Sequence, residues 1–214
     1  MNTLLTEESF SNTPNKPSFL NHSVKSEDDW RSYLGICDEK TISQDHAHRL
    51  ALTKLFHQYS LEGRLLYHLT ITYKEYRETQ YSKRICDQFF INFYLKSFLP
   101  ALLGTRNFNK PSKRLIQPIC YAFIDEHESK PRIRRSKVEF PTRLHHHALI
   151  AVNSTTSNRI SPMIGSNQIP LRQKYASKVM TTHLRACEPM TLLYASKNLR
   201  RYPDFLAFPD RLMP

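Results

Sequence analysis

Three consecutive histidines, His145, His146 and His147, lie in the run LHHHALIAV, whose apolar and β-branched remainder reads as a strand. Alternate side chains of a strand share a face about 6.6 Å apart, so His145 and His147 project together while His146 turns away. Two imidazoles on one face can share a metal ion; on a solvated strand the same pair simply hydrogen-bonds to water. A third ligand has to come from another element. The preceding strand ends in Phe123-Ile124-Asp125-Glu126-His127-Glu128, and antiparallel pairing would bring Asp125 or Glu126 up to the histidines. Two imidazoles and one carboxylate leave positions open for phosphate oxygens, and octahedral Mg²⁺ or Mn²⁺ suits such a set. Facing solvent beside local Lys and Arg residues is the other fate open to those carboxylates.

A second constellation is Tyr194-Ala195-Ser196-Lys197. On a helix, residues three apart share a face, and a tyrosine of pKa about 10 becomes a useful nucleophile when a nearby cation or metal favours its phenolate. The alternative is that Tyr194 packs against Met190 one turn earlier while Lys197 stays in water. The same tetrapeptide recurs at Tyr175-Ala176-Ser177-Lys178. Another H-x-H, His46-Ala47-His48, falls on a predicted helix, where positions two apart diverge by about 200° and cannot converge on an ion.

These groups need a scaffold, and the hydrophobic pattern supplies one. An amphipathic helix starts near Ser43, with Ala47, Ala51, Leu52, Leu55, Phe56 and Tyr59 on one stripe and Gly63 at its end. LLYHLTITY, residues 65–73, is dense in β-branched and aromatic side chains and reads as a strand with His68, Thr70 and Thr72 on one face. Helical spacing returns from Arg84 to Leu99 and stops at Pro100 and Gly104. Strands are predicted at Leu115–Ile124, Leu144–Val152 and Val179–Ala186, and a last helix at Glu188–Arg201. Between the second and third strands runs a basic excursion carrying Arg132, Arg134, Arg135, Lys137 and Arg143. The order implies an α+β fold, a central mainly antiparallel sheet with helices packed on one face.

The 214 residues suffice for one medium domain or a small domain plus a tail. We expect an N-terminal arm over 1–42, rich in Ser, Asn, Thr and Pro, a main domain over 43–205 and a tail over 206–214. Four Lys/Arg against seven Asp/Glu give residues 1–40 a net −3, and the remaining 27 and 12 give the body +15. A body that basic argues for a polyanionic partner, nucleic acid first. Neither G-x-x-x-x-G-K-[ST] nor G-x-G-x-x-G occurs, which argues against ATP as a substrate. Cys37, Cys86, Cys120 and Cys187 contain no C-x-x-C pair and read as reduced thiols. No secretion signal and no membrane span are recognised, so the expected setting is the cytoplasm.

Taken in order, Leu69-Thr70-Ile71-Thr72, His145-His146-His147 and Tyr194 to Lys197 resemble the motifs of the HUH endonuclease superfamily, the rolling-circle replication initiators and their relatives. The resemblance spans about residues 65–200 and implies an RRM-like palm. It implies a metal held by His145 and His147 with an acidic residue, and attack by Tyr194 on single-stranded DNA at an origin. The protein would keep the 5′ phosphate as phosphotyrosine and release a 3′ hydroxyl, with a host helicase and polymerase as partners. Spacing favours Tyr194 over Tyr175, because 47 residues after His147 accommodate a loop, a strand and a helix start. Two features depart from the family: the middle metal-strand position is His146 where an apolar residue is usual, and the excursion from Ser129 to Arg143 is long. A relaxase or single-tyrosine transposase would share this chemistry. The reading from another class is a non-catalytic basic nucleic-acid-binding protein.

Overall fold

The computed structural model describes residues 44–73, 83–128, 132–134, 137–139, 142–171, 180–199 and 201–209, all within the unit Ile42–Pro214. The arm read over 1–42, Arg135 and the Tyr175 to Lys178 repeat lie outside the described residues. Helix α1, Gln44–Leu61, ends at Gly63, whose φ of 79° puts it in the left-handed region that glycine adopts without strain. Strand β1, Leu65–Tyr73, has the predicted bounds. Helix α2, Lys83–Phe93, continues through a π turn at Tyr94–Phe98 into α3, Leu99–Leu103.

Pro100 therefore does not stop this helix, contrary to expectation. The Leu99 N–H reaches back five residues to the Tyr94 carbonyl, and a turn widened in this way makes room for a ring that would clash in a regular helix. Gly104, with φ 65°, caps the run instead.

After the short α4, Pro111–Arg114, come β2, Ile119–Glu128, the β3–β4 hairpin, Arg132–Arg134 and Lys137–Glu139, and β5, Thr142–Val152. Strand β2 starts four residues later than expected, just beyond Pro118, and takes in the acidic end. Helix α5, Ser157–Ile160, and β6, Gly165–Ser166, lead to β7, Met180–Ala186. Helix α6 covers only Thr191–Ala195 of the helix expected over Glu188–Arg201. Leu206–Phe208, read as the start of a tail, forms β8 and pairs with β2. The main sheet has the order β6-β7-β1-β5-β2-β8, and all its neighbours are antiparallel.

Helices cover both faces, not one. Against α2 and the segment after it lie Leu69, Ile71, Ala122, Ile124, Ala148 and Ile150, packed on Phe90, Tyr94, Phe98 and Leu102. Phe56 and Tyr59 of α1 and Leu192 and Ala195 of α6 cover Leu66, Tyr121, Phe123, Leu149 and Ala151 on the other face. Each fully buried apolar side chain of this size stabilises by about 1.5–3 kcal/mol, so both helical layers are firmly held. Beyond Phe123 and Leu149 the second face turns polar. Among the described residues no helix is long and apolar enough to cross a membrane.

Candidate metal and nucleophile site

Register sets the polar half of that face. On β5, His145 stands between Thr72 of β1 and Asp125 of β2, and His147 stands between Thr70 and Phe123. The period of two turns His145, His147 and Asp125 to one side, and one ligand atom from each lies within 4.8 Å of the others. The two Nε2 atoms are 3.0 Å apart. Asp125 is fully buried, with His145 and His147 at 6% and 4% exposure.

The two oxygens of Asp125 have different surroundings. Its Oδ1 accepts from the Glu126 N–H at 2.8 Å and from Asn198 Nδ2. Its Oδ2 is buried without a well-directed hydrogen bond, yet three nitrogens gather round it: Lys197 Nζ at 2.8 Å, His145 Nε2 at 3.3 Å and His147 Nε2 at 3.4 Å. Burial alone would raise this carboxyl, but interactions with His145, His147 and Lys197 outweigh it and hold the group well below the usual carboxylate range. Burial pushes the His147 imidazole below its ordinary value despite the opposing pull of Asp125. A carboxylate oxygen and two imidazole nitrogens directed at one point are a donor set for a divalent cation. Three ligands leave positions open, unlike the closed tetrahedron of a structural zinc site.

Of the two carboxylates left open by the sequence, Asp125 joins the histidines. Glu126 lies opposite Leu144 in the register, faces away, accepts from the Tyr202 hydroxyl at 3.1 Å and pairs with Arg201. His146 also points away, into the layer under α2. Its Nδ1 lies 2.7 Å from the Tyr73 hydroxyl and its Nε2 3.0 Å from Asp87 Oδ1, while Asp87 pairs with Lys83 at 2.8 Å. Burial would raise the Asp87 carboxyl, and its bonds with His146 and Lys83 overcome that and lower it.

Tyr194 stands at the edge of the site. Its ring centroid is 5.1 Å from that of His147 and 6.4 Å, edge-on, from that of His68, and the residue is 52% exposed. Lys197 follows α6 rather than lying in it, but its N–H bonds to the Tyr194 carbonyl at 3.3 Å. That turn keeps the pair together, with Lys197 Nζ 4.9 Å from the Tyr194 ring centroid. Arg49 of α1 anchors α6 through the Leu193 carbonyl at 2.5 Å and Ser196 Oγ at 3.3 Å. The open space in front is a cavity of about 370 Å³, walled by His145, His147 and Tyr194 and by His68, Thr70, Thr72, His183 and Arg185 of β1 and β7.

The sequence reading assigned no role to His68, Asn198 or Arg49. For His68 a signal existed in its alternation with Thr70 and Thr72; Asn198 and Arg49 meet the site only through tertiary packing. Of the basic set, Arg132 and Arg134 are on β3, Lys137 is on β4 and Arg143 is on β5. Compared with known family models, curated proteins and solved structures, the chain matches none.

Proposed function

We propose that the protein is a divalent-metal-dependent nicking and joining enzyme for single-stranded DNA, with Tyr194 as nucleophile, acting to start rolling-circle replication of a plasmid, phage or integrated element. The observation that carries this reading is the contact of the Tyr194 ring with His147 at the mouth of a cavity backed by His145 and Asp125. A scattered Y-x-x-K and a scattered H-x-H would have no reason to meet.

Asp125, His145 and His147 would hold Mg²⁺ or Mn²⁺, which when bound supplies charge withdrawal at a phosphodiester and orients its oxygens. The chain's own residues do the rest. The +12 net charge draws a polyanion in, and Arg185 and His183 on the cavity wall offer donors to its phosphates. Tyr194, half exposed and anchored through α6, is free to attack phosphorus in line. Its oxygen forms the new P–O bond as the phenolic proton passes to water, and the strand's 3′ oxygen departs and takes up a proton. The phosphotyrosine retains the bond, so a 3′ hydroxyl can reverse the step without ATP. Lys197, beside both the ring and Asp125, offsets negative charge there. A host helicase and polymerase would extend the released end in the cytoplasm.

The test is a denaturing gel after incubation with a pool of labelled single-stranded oligonucleotides and Mn²⁺. A covalent adduct is expected with the wild type and with Tyr175→Phe, and none with Tyr194→Phe, which removes one oxygen and keeps the ring. Salt-sensitive binding with no adduct under any condition makes a plain nucleic-acid-binding protein the better account.

A further inference from the structure

Behind His147, on the central strand β1, sits a third imidazole. His68 is 2% exposed, its Nε2 lies 3.0 Å from His147 Nδ1, and its ring centroid is 5.0 Å from that of His147. The geometry of His147 leaves little choice of tautomer. Its Nε2 faces His145 Nε2 and Asp125 Oδ2, so a cation held by the cluster takes the lone pair on Nε2, and the ring proton must sit on Nδ1. A buried N–H there needs an acceptor. Among the described residues two atoms are in reach: His68 Nε2 at 3.0 Å, and Thr70 Oγ1 at a much weaker 3.4 Å.

We infer that His68 is a positioning residue of the metal centre, accepting the Nδ1–H of His147 so that the Nε2 lone pair of His147 is aimed at the cation, while its ring edge sets the stance of Tyr194. The inference rests on the metal site proposed above, though not on the tyrosine chemistry. Accepting at Nε2 forces the proton of His68 onto its own Nδ1, and that atom is buried with no hydrogen-bond partner among the described residues. An orphaned buried donor is a standing penalty, and a core position filled for packing alone would be better served by leucine. The position is also rigid: His68 is flanked by Leu149 of β5 and Arg185 of β7 in the sheet register. One ring thus touches both a ligand and the nucleophile's ring.

The experiment measures cation binding with no DNA present. Titration with Mn²⁺, followed by the electron paramagnetic resonance of the free ion, should give His68→Leu an affinity about 10- to 100-fold weaker than wild type, the usual loss for a partner behind a ligand. His68→Gln, whose amide oxygen can accept, should recover much of it. Circular dichroism of the metal-free chains establishes that each variant is folded. A folded His68→Leu that binds Mn²⁺ as tightly as wild type overturns the inference, as does a His68→Gln no better than His68→Leu. A measurement on the wild type covers the case of variants that do not fold. In the Mg²⁺-loaded, ¹⁵N-labelled chain, His147 should carry its proton on Nδ1 with a coupling across the hydrogen bond to His68 Nε2. A proton on Nε2 of His147 overturns the assignment. Wild type that binds no Mn²⁺ removes the metal site and this inference together, whereas Mn²⁺ binding without a DNA adduct leaves the role of His68 standing and sinks only the tyrosine step.

Discussion

Asp125→Asn is the sharpest perturbation of the site, because it exchanges one oxygen and little else. The amide keeps an Oδ1 for the Glu126 N–H and Asn198, but puts an NH₂ where Oδ2 meets Lys197, His145 and His147 at 2.8, 3.3 and 3.4 Å. The amide NH₂ then faces the Lys197 ammonium, donor against donor, and a cation held there would lose its carboxylate ligand. Removing one member of a buried charged cluster costs about 3–5 kcal/mol. Lys197 is 42% exposed, which favours the lower end, or about 100-fold in affinity at ~1.4 kcal/mol per decade. Calorimetric titration with Mn²⁺ measures this directly. Thermal melting checks it: Mn²⁺ at about 100 times the wild-type Kd stabilises by about 2.7 kcal/mol, or roughly 5–11 °C for a chain of this size. At that concentration the variant should gain only about 1–2 °C. The metal-free chains should also differ with pH. The folded carboxyl titrates below its ordinary 3.8, so its stabilisation is fully present well above pH 4 and fades as pH falls through the folded value; Asp125→Asn lacks that acid limb. An Mn²⁺ affinity within threefold of wild type, or an equal rise in melting temperature, refutes the assignment of Asp125 as a ligand.

Lys197→Met removes the ammonium that shares Oδ2 with the imidazoles, so Mn²⁺ should bind up to about fivefold tighter, the worth of a half-exposed ion pair of ~1 kcal/mol, while adduct formation slows; weaker binding by calorimetry would mean that Lys197 holds Asp125 in place for the ion. Gly104→Ala should lower stability by about 1–2 kcal/mol, read as a lower urea midpoint, because φ is +65° and the added carbon would meet the guanidinium of Arg159; an unchanged midpoint would show that the cap relaxes freely.

The central pairing was legible because strand chemistry is local. Alternation alone put His145 and His147 on one side with His146 on the other, and the β-branched run 65–73 had only one plausible state. Asp125 against Glu126 was a question of parity, and only the pairing of β2 with β5 answers it, since either residue ends the same apolar run. Pro100 misled because its penalty is defined for a regular helix, and the widened turn at Tyr94–Phe98 removes the clash. The last helix was overestimated because Ser196 to Leu199 carry no helix breaker; the bond of Asn198 to Asp125 and the place of Leu199 in the cluster with Phe123 and Leu149 are tertiary contacts that the local sequence does not disclose. The partners of His146 come from β1 and α2, and nothing within the run LHHHALIAV indicates them.

Three like residues in a row are ambiguous to a strand that must choose which side each one faces. Shift β5 by a single residue against its neighbours and His146 alone would look into the cavity, while two imidazoles would be driven under α2. The Tyr73 hydroxyl and Asp87 make the two alternatives unequal, since they offer partners for one imidazole in that layer and would leave much of a second pair unmatched, at about 1–3 kcal/mol for each stranded group. The polar contacts on the closed side of the sheet thus act as a key that admits one phase of the histidine triplet. The middle histidine of β5 is thus the means by which the chain tells its first and third histidines from its second.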